Sequence, residues 1–207
     1  VEKSCADYDG NQPSRTHLRL ADRWILSRLA RARAEATAGF EGFQFHHVTK
    51  LLQDFFWHEY CDFYLEYAKH RIYQPETYGK ESKRAAQYTM RRVLLECCQL
   101  LAPVTSHLSE EIWQAFAPER SIHLSPWPDE KKDEVDAEAE SRVAFLNEIT
   151  AKASQHKAER KLPLNAEIAS AKISCDFDVK EIEEEIHATA KVKVINAASG
   201  ERSIEFQ

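Results

Sequence analysis

The chain has 207 residues, 43% of them hydrophobic and 30% charged, with only 5 Gly and 7 Pro, a composition that excludes disorder and collagen-like repeats and calls for a buried core. No apolar run approaches the roughly 18 residues of a membrane span and no basic-plus-apolar leader opens the sequence, so a cytoplasmic protein with no membrane partner is expected. The net charge of -6 is uneven: residues 1–120 carry 16 Lys+Arg against 16 Asp+Glu, and residues 121–207 carry 12 against 18.

The first residue is Val1 and the only methionine is Met90, so the sequence reads as a piece of a longer polypeptide. From Ser14 to Ala38, Leu18, Ala21, Ile25, Leu29, Ala32 and Ala36 share one helical stripe, and Arg15, Arg19, Arg23 and Arg33 share a neighbouring one. Gly39 and Gly42 end that helix. From Gln44 to Tyr73 apolar residues recur at three- and four-residue steps, and seven of the thirteen residues from Phe55 to Tyr67 are aromatic. Rings on nearly every side predict a central helix enclosed by others, with Phe55, Trp57, Tyr60, Phe63, Tyr64 and Tyr67 in the core. Pro75 and Gly79 mark a loop, a third helix runs from Ser82 to Ala102, and Pro103 precedes a shorter fourth through Ile112 and Phe116. The segment SIHLSPWP at 121–128 reads as an extended tether. The acidic stretch from Asp129 to Glu140 suits the N-terminal end of a fifth helix that continues towards Lys161. After Pro163, AEIASAKISC, KVKVINA and SIEF read as strands and Asp178–Ala188 as a short amphipathic helix. The expected fold is mostly α: a bundle of four to five helices over residues 1–162, then a small α+β appendage over 163–207 that docks on the fifth helix because it is too short to fold alone.

Charge and chemistry are local. Arg15, Arg19, Arg23, Arg28, Arg31 and Arg33 meet only Asp22 and Glu35 between residues 14 and 38, and Lys69, Arg71, Lys80, Lys83, Arg84, Arg91 and Arg92 meet only Glu76 and Glu81. Such clusters suit a polyanion bound at one place, or solvated helix faces with no partner. The five cysteines (Cys5, Cys61, Cys97, Cys98, Cys175) are odd in number and lack C-x-x-C, which indicates reduced thiols rather than disulfides or a zinc knuckle. His58, Cys61 and Asp62, and likewise His107, Glu110 and Glu111, are spaced to share one ion, but neither trio has further ligands to complete a site, and no metal is expected. There is no nucleophile elbow, phosphate loop or dinucleotide fingerprint, so no catalytic residue is assigned. Lys80 to Lys83 reads K-x-S-K, too short a match to carry a role.

LADRWILSRL at 20–29, FFWHEYCDFYLEYAKHRIY at 55–73, LLAPVTSHLSEEIWQ at 100–114 and SIHLSPWP follow one another in an order and spacing that resemble the anticodon-binding helical domain of valyl-tRNA synthetases, of the class I aminoacyl-tRNA synthetase family. The likeness covers most of residues 18–128. The related isoleucyl and leucyl enzymes share the fold, and their anticodon domains are the alternative reading; a protein-interaction module without RNA binding is another, and a metal-dependent helical enzyme a third. The family often has proline where this chain has His70, so the second helix is expected to run about a turn longer. The tail without a coiled-coil arm looks more like the archaeal type. The resemblance implies a non-catalytic piece, itself without a cofactor. The parent would use ATP and Mg to attach valine to tRNA, through catalytic and editing domains absent here. The implied partners are the anticodon stem-loop of valine tRNA and the catalytic domain of the same polypeptide, in a monomer. Valine anticodons share the middle adenine and last cytosine, where discrimination is expected. Candidate phosphate or base contacts are Arg19, Arg23, Lys69, Arg71, Arg84, Arg91 and Arg92, with Phe43 and Phe45 as stacking platforms unless they are core residues.

Overall fold

Asp22 decides where the first helix starts. Its carboxylate accepts the Arg19 backbone N–H at 2.9 Å, and α1 runs from Leu20 to Glu41 rather than from Ser14. The computed structural model describes residues 1–129 and 132–206; Glu130, Lys131 and Gln207, and the side chain of Lys132, lie outside the described residues. α1 buries Ala21, Ile25, Leu29, Ala32 and Ala36 of the expected stripe together with Leu20 and Trp24, while Leu18 precedes the helix and is half-buried. At Gly39 a Cβ would lie 2.4 Å from Val48 Cγ2, so the close crossing of α1 with the next helix requires a glycine.

That next helix is one continuous run in three parts: α2 (Phe45–Asp54), a π-helical segment (Phe55–Tyr64) and α3 (Leu65–Tyr73). The run passes through His70 without a break. The π-helical winding sets which of its side chains share a face. With i→i+5 bonding, Phe55, Tyr60 and Tyr64 are buried, while Trp57 is 55% exposed and Phe63 is half-buried. The expectation of Trp57 in the core is therefore corrected, and the helix has a solvent face. Tyr60 donates to the Met90 carbonyl at 2.8 Å, and Tyr64 to Asp22 Oδ1 at 2.8 Å.

After the short α4 (Pro75–Tyr78), Gly79 at φ +90° admits the chain to α5 (Lys80–Leu101). α5 lies beside α1 in the same direction, since the Tyr64 hydroxyl joins Asp22 to the Ala86 carbonyl near the start of α5 and Arg33 reaches Glu96 further along it. α6 (Ser106–Gln114) follows. Its Glu110 accepts the Ser121 hydroxyl and the Ile122 N–H, each at 2.9 Å, and so fixes the start of the tether. Burial opposes the charge on Glu110, but hydrogen bonds from Gln114, Ser121 and Ile122 outweigh it and hold the carboxyl below its ordinary value.

Only the end of the acidic stretch opens the fifth helix as expected, with Glu138 and Glu140 in its first turn. α7 spans Ala137–Glu159, and Asp133, Glu134 and Asp136 before it lie along a strap on arginines of α1 and α5; Glu130 lies outside the described residues. Asp133 pairs with Arg15, Asp136 with Arg23, and Glu134 with both Arg33 and Arg92.

The chain forms two compact units, Val1–Ala137 and Glu138–Gln207. From Glu138 onward the fifth helix groups with the residues that follow it. About 45 residues of appendage bury too little surface alone, and α7 supplies the missing core. In this second unit β1 (Ile168–Cys175) is central, parallel to β2 (Val192–Ser199) and antiparallel to β3 (Ser203–Phe206). The parallel pair needs a crossover, provided by an irregular helical stretch that includes α8 (Glu183–Glu185) and buries Val179, Ile182 and Ile186. Ala171, Ile173 and Cys175 of β1 and Phe145, Leu146 and Ile149 of α7 are buried. Phe145 meets Phe177 edge-on, with Arg202 over both rings. Among the described residues no helix is long and apolar enough to cross a membrane.

Candidate nucleic-acid interface

α1 ends in a left-handed cap. The Gln44 N–H reaches the Gly39 carbonyl at 2.8 Å and the Phe43 N–H the Phe40 carbonyl at 3.1 Å, the paired bonds of a Schellman motif. The position that usually holds glycine is Phe43, at φ +57°. Its ring is 80% exposed, and that of Phe45 52%. Neither is a core residue. The two rings stand edge to face with centroids 6.1 Å apart, and Phe45 leans on Phe40 at 6.0 Å. Phe40 in turn meets Trp127 of the tether at 5.6 Å and 88°. The indole N–H donates to Thr37 Oγ1 at 2.9 Å. Phe40 and Trp127 escaped the sequence reading, although a tryptophan between two prolines in an extended segment has no helix face on which to hide.

The basic candidates lie elsewhere, and most are engaged within the first unit. Arg71 is fully buried, its guanidinium holding Asp22 through two bonds of 2.6 and 2.7 Å. It is a structural cation and cannot be an RNA contact without unfolding the site. Arg19 is the half-buried N-cap of α1. Arg23 is 3.3 Å from Asp136, Arg84 is 3.0 Å from Asp9, and Lys69 pairs with Glu66. Arg91 donates to the Phe116 carbonyl at 2.9 Å and lies over the Phe116 ring. Arg92 holds Glu134 at 2.6 Å; burial opposes its charge, but that bond raises the guanidinium pKa above its ordinary value. A 22-residue α1 is about 33 Å long, with Arg19 at one end and Phe43 at the other. The aromatic platform and the Arg19, Arg23, Arg71 cluster therefore cannot share one small ligand.

The remaining motifs acquire structural roles. Lys83 pairs with Asp7 at the start of α5, and Ser82 is buried against α3. His58 bonds to Asp62 at 3.2 Å, and Glu110 caps the tether. Burial pushes the Cys97 thiol well up and that of Cys98 to about 11, which leaves both poor nucleophiles. What the surface offers chemically is exposed, differently tilted rings at the α1–α2 turn.

The family model described as the anticodon-binding domain of tRNA ligase matches residues 22–173. A valine–tRNA ligase of Methanothermobacter thermautotrophicus is 37% identical over 195 residues, 90% of this chain and 22% of that protein. One from Pyrococcus furiosus is 33% identical over 212 residues, covering 99% of the chain and 24% of the relative. Another, from Archaeoglobus fulgidus, is 32% identical over 191 residues, 92% of the chain and 22% of the relative. The chain spans about a quarter or less of the length of the curated relatives it matches.

Proposed function

Because the chain belongs to the family of anticodon-binding domains of tRNA ligases, we propose that it grips the anticodon loop of a valine tRNA through the Phe43–Phe45 platform, as part of a longer ligase that joins valine to that tRNA. Activation of valine with ATP and Mg is assigned to the rest of that polypeptide; this chain binds and does not catalyse. The observation that carries the reading is Phe43. A bulky apolar ring stands almost wholly in solvent on a backbone that glycine would occupy more easily, an arrangement that costs stability and so calls for a use outside the fold. Unpaired loop bases stack on such rings.

The polar part of the contact is the backbone. Arg23, Lys69 and Arg84 keep 38, 55 and 31% of their side chains exposed, at the end of the bundle far from the platform. In this reading they hold phosphates of the stem, while the loop lies on the rings. Arg19, Arg91 and Arg92 are more sheltered, with Arg91 on the Phe116 carbonyl and Arg92 on Glu134, and are not counted among these contacts.

Titration of the valine anticodon stem-loop against versions changed at the middle or last anticodon base tests the proposal. Phe43→Ser is expected to weaken the valine stem-loop about tenfold, and a changed middle base to weaken it comparably. An affinity indifferent to both, on folded protein, overturns the reading and favours a protein-interaction module.

A further inference from the structure

The aromatic surface does not end at Phe45. We propose that Trp127, carried in by the tether, is a third base-stacking residue of this surface, so that Phe43, Phe45 and Trp127 together engage separate unpaired bases of the same RNA loop, with half-buried Phe40 as the ring that joins them. The inference rests on the loop reading above and extends it to a segment outside the helices.

Trp127 is 38% exposed although a ring whose only task was to cover Phe40 could turn its face inward. Its orientation is set on several sides. Pro126 and Pro128 restrict the backbone around it, and the indole N–H is tied to Thr37. Gln99 reaches the Ser125 hydroxyl at 3.3 Å and the Pro126 carbonyl at 3.4 Å, and Arg33 holds the Asp129 carbonyl at 2.9 Å. A large aromatic held this way loses little further freedom on binding, which favours affinity. The centroids along Trp127, Phe40, Phe45 and Phe43 are 5.6, 6.0 and 6.1 Å apart, and adjoining planes are turned by 57° to 88°. Regularly stacked bases rise about 3.4 Å and stay parallel, so this strip cannot match a helix. It fits bases splayed apart, each on its own ring, as in a single-stranded loop.

The test titrates the whole chain with the valine anticodon stem-loop, following both affinity and tryptophan fluorescence, for the natural sequence and for Trp127→Ala, Trp127→Phe and Phe43→Ala, with urea unfolding of each. Trp127→Ala should weaken binding about tenfold, while Trp127→Phe, which keeps a ring but loses the Thr37 bond, should bind within a few-fold. RNA-dependent quenching should be present in the natural sequence and much reduced in Trp127→Phe. Should Trp127→Ala fail to fold, the quenching comparison decides alone. Natural affinity in folded Trp127→Ala, or undiminished quenching in Trp127→Phe, overturns the role of Trp127. If Phe43→Ala nevertheless weakens binding, the loop reading stands and only this extension fails; if neither position matters, the loop reading fails with it.

Discussion

Phe43 places a stability cost and a binding role on one side chain, and one substitution separates them. Its left-handed backbone disfavours any residue with a Cβ by about 1–2 kcal/mol relative to glycine, and its 80% exposure means that little packing is lost on truncation. Phe43→Gly is therefore expected to leave the fold as stable or up to about 1 kcal/mol more stable in urea, while weakening the stem-loop about tenfold. A large loss of stability would show that the ring is packed rather than presented. Arg71 shows the opposite relation between charge and use. In the sequence it is one more cation in a basic cluster, and nothing local marks Asp22, 49 residues earlier, as its partner. Charge is legible in a sequence; what neutralises it is a property of the tertiary structure.

Among the elements, helices with strong periodicity and proline or glycine boundaries were readable to within a few residues, as α5 and α6 show. The aromatic run is legible in the sequence as helix but not in its facing. Rings on nearly every side suggest an enclosed helix with Trp57 inside; two residues from Phe55 it lies on the opposite side in either winding, and that side faces solvent, while the π-helical winding brings the expected core residues Phe55 and Tyr60 to one buried face. Phe55→Ala should then cost about 3–5 kcal/mol and Trp57→Ala below about 1 kcal/mol; similar losses in urea titrations would mean that Trp57 is packed rather than turned to solvent. The strap is not legible in the sequence either. Acids near a helix start look like dipole partners, yet Glu134 is 14% exposed between Arg33 and Arg92. Arg33 keeps Glu96 and the Asp129 carbonyl, but removing the charge of Glu134 takes from Arg92 its 2.6 Å carboxylate, so Glu134→Gln should cost about 2 kcal/mol and expose residues 133–136 to protease at concentrations that spare the natural chain. Unchanged cleavage would reduce the strap to an incidental surface pairing.

For the whole molecule, the internal pairing sets how binding responds to salt. A net charge of -6 with local basic clusters suggests many phosphate contacts, each contributing about 0.7 to 0.9 to the slope of log K against log salt. The structure argues for fewer. Arg71 and Arg33 are buried, Arg92 is held by Glu134, and Arg23, Lys69 and Arg84 each face a carboxylate at their own surface. A phosphate must displace an exposed pairing worth about 1 kcal/mol or less, which is feasible for those last three and not for the buried ones. Stacking, which responds weakly to salt, would then supply much of the affinity. The anticodon stem-loop is accordingly expected to bind with a slope magnitude of about 3 or less, lowered by about one for each of Arg23→Gln, Lys69→Gln and Arg84→Gln that removes a true contact. Phe43→Ser should lower the affinity and leave that slope unchanged. A slope steeper than about 5 would mean that the strap's ion pairs open on binding and release Arg15, Arg33 and Arg92 to the RNA, and protection of residues 133–136 from protease would then fall on adding the stem-loop.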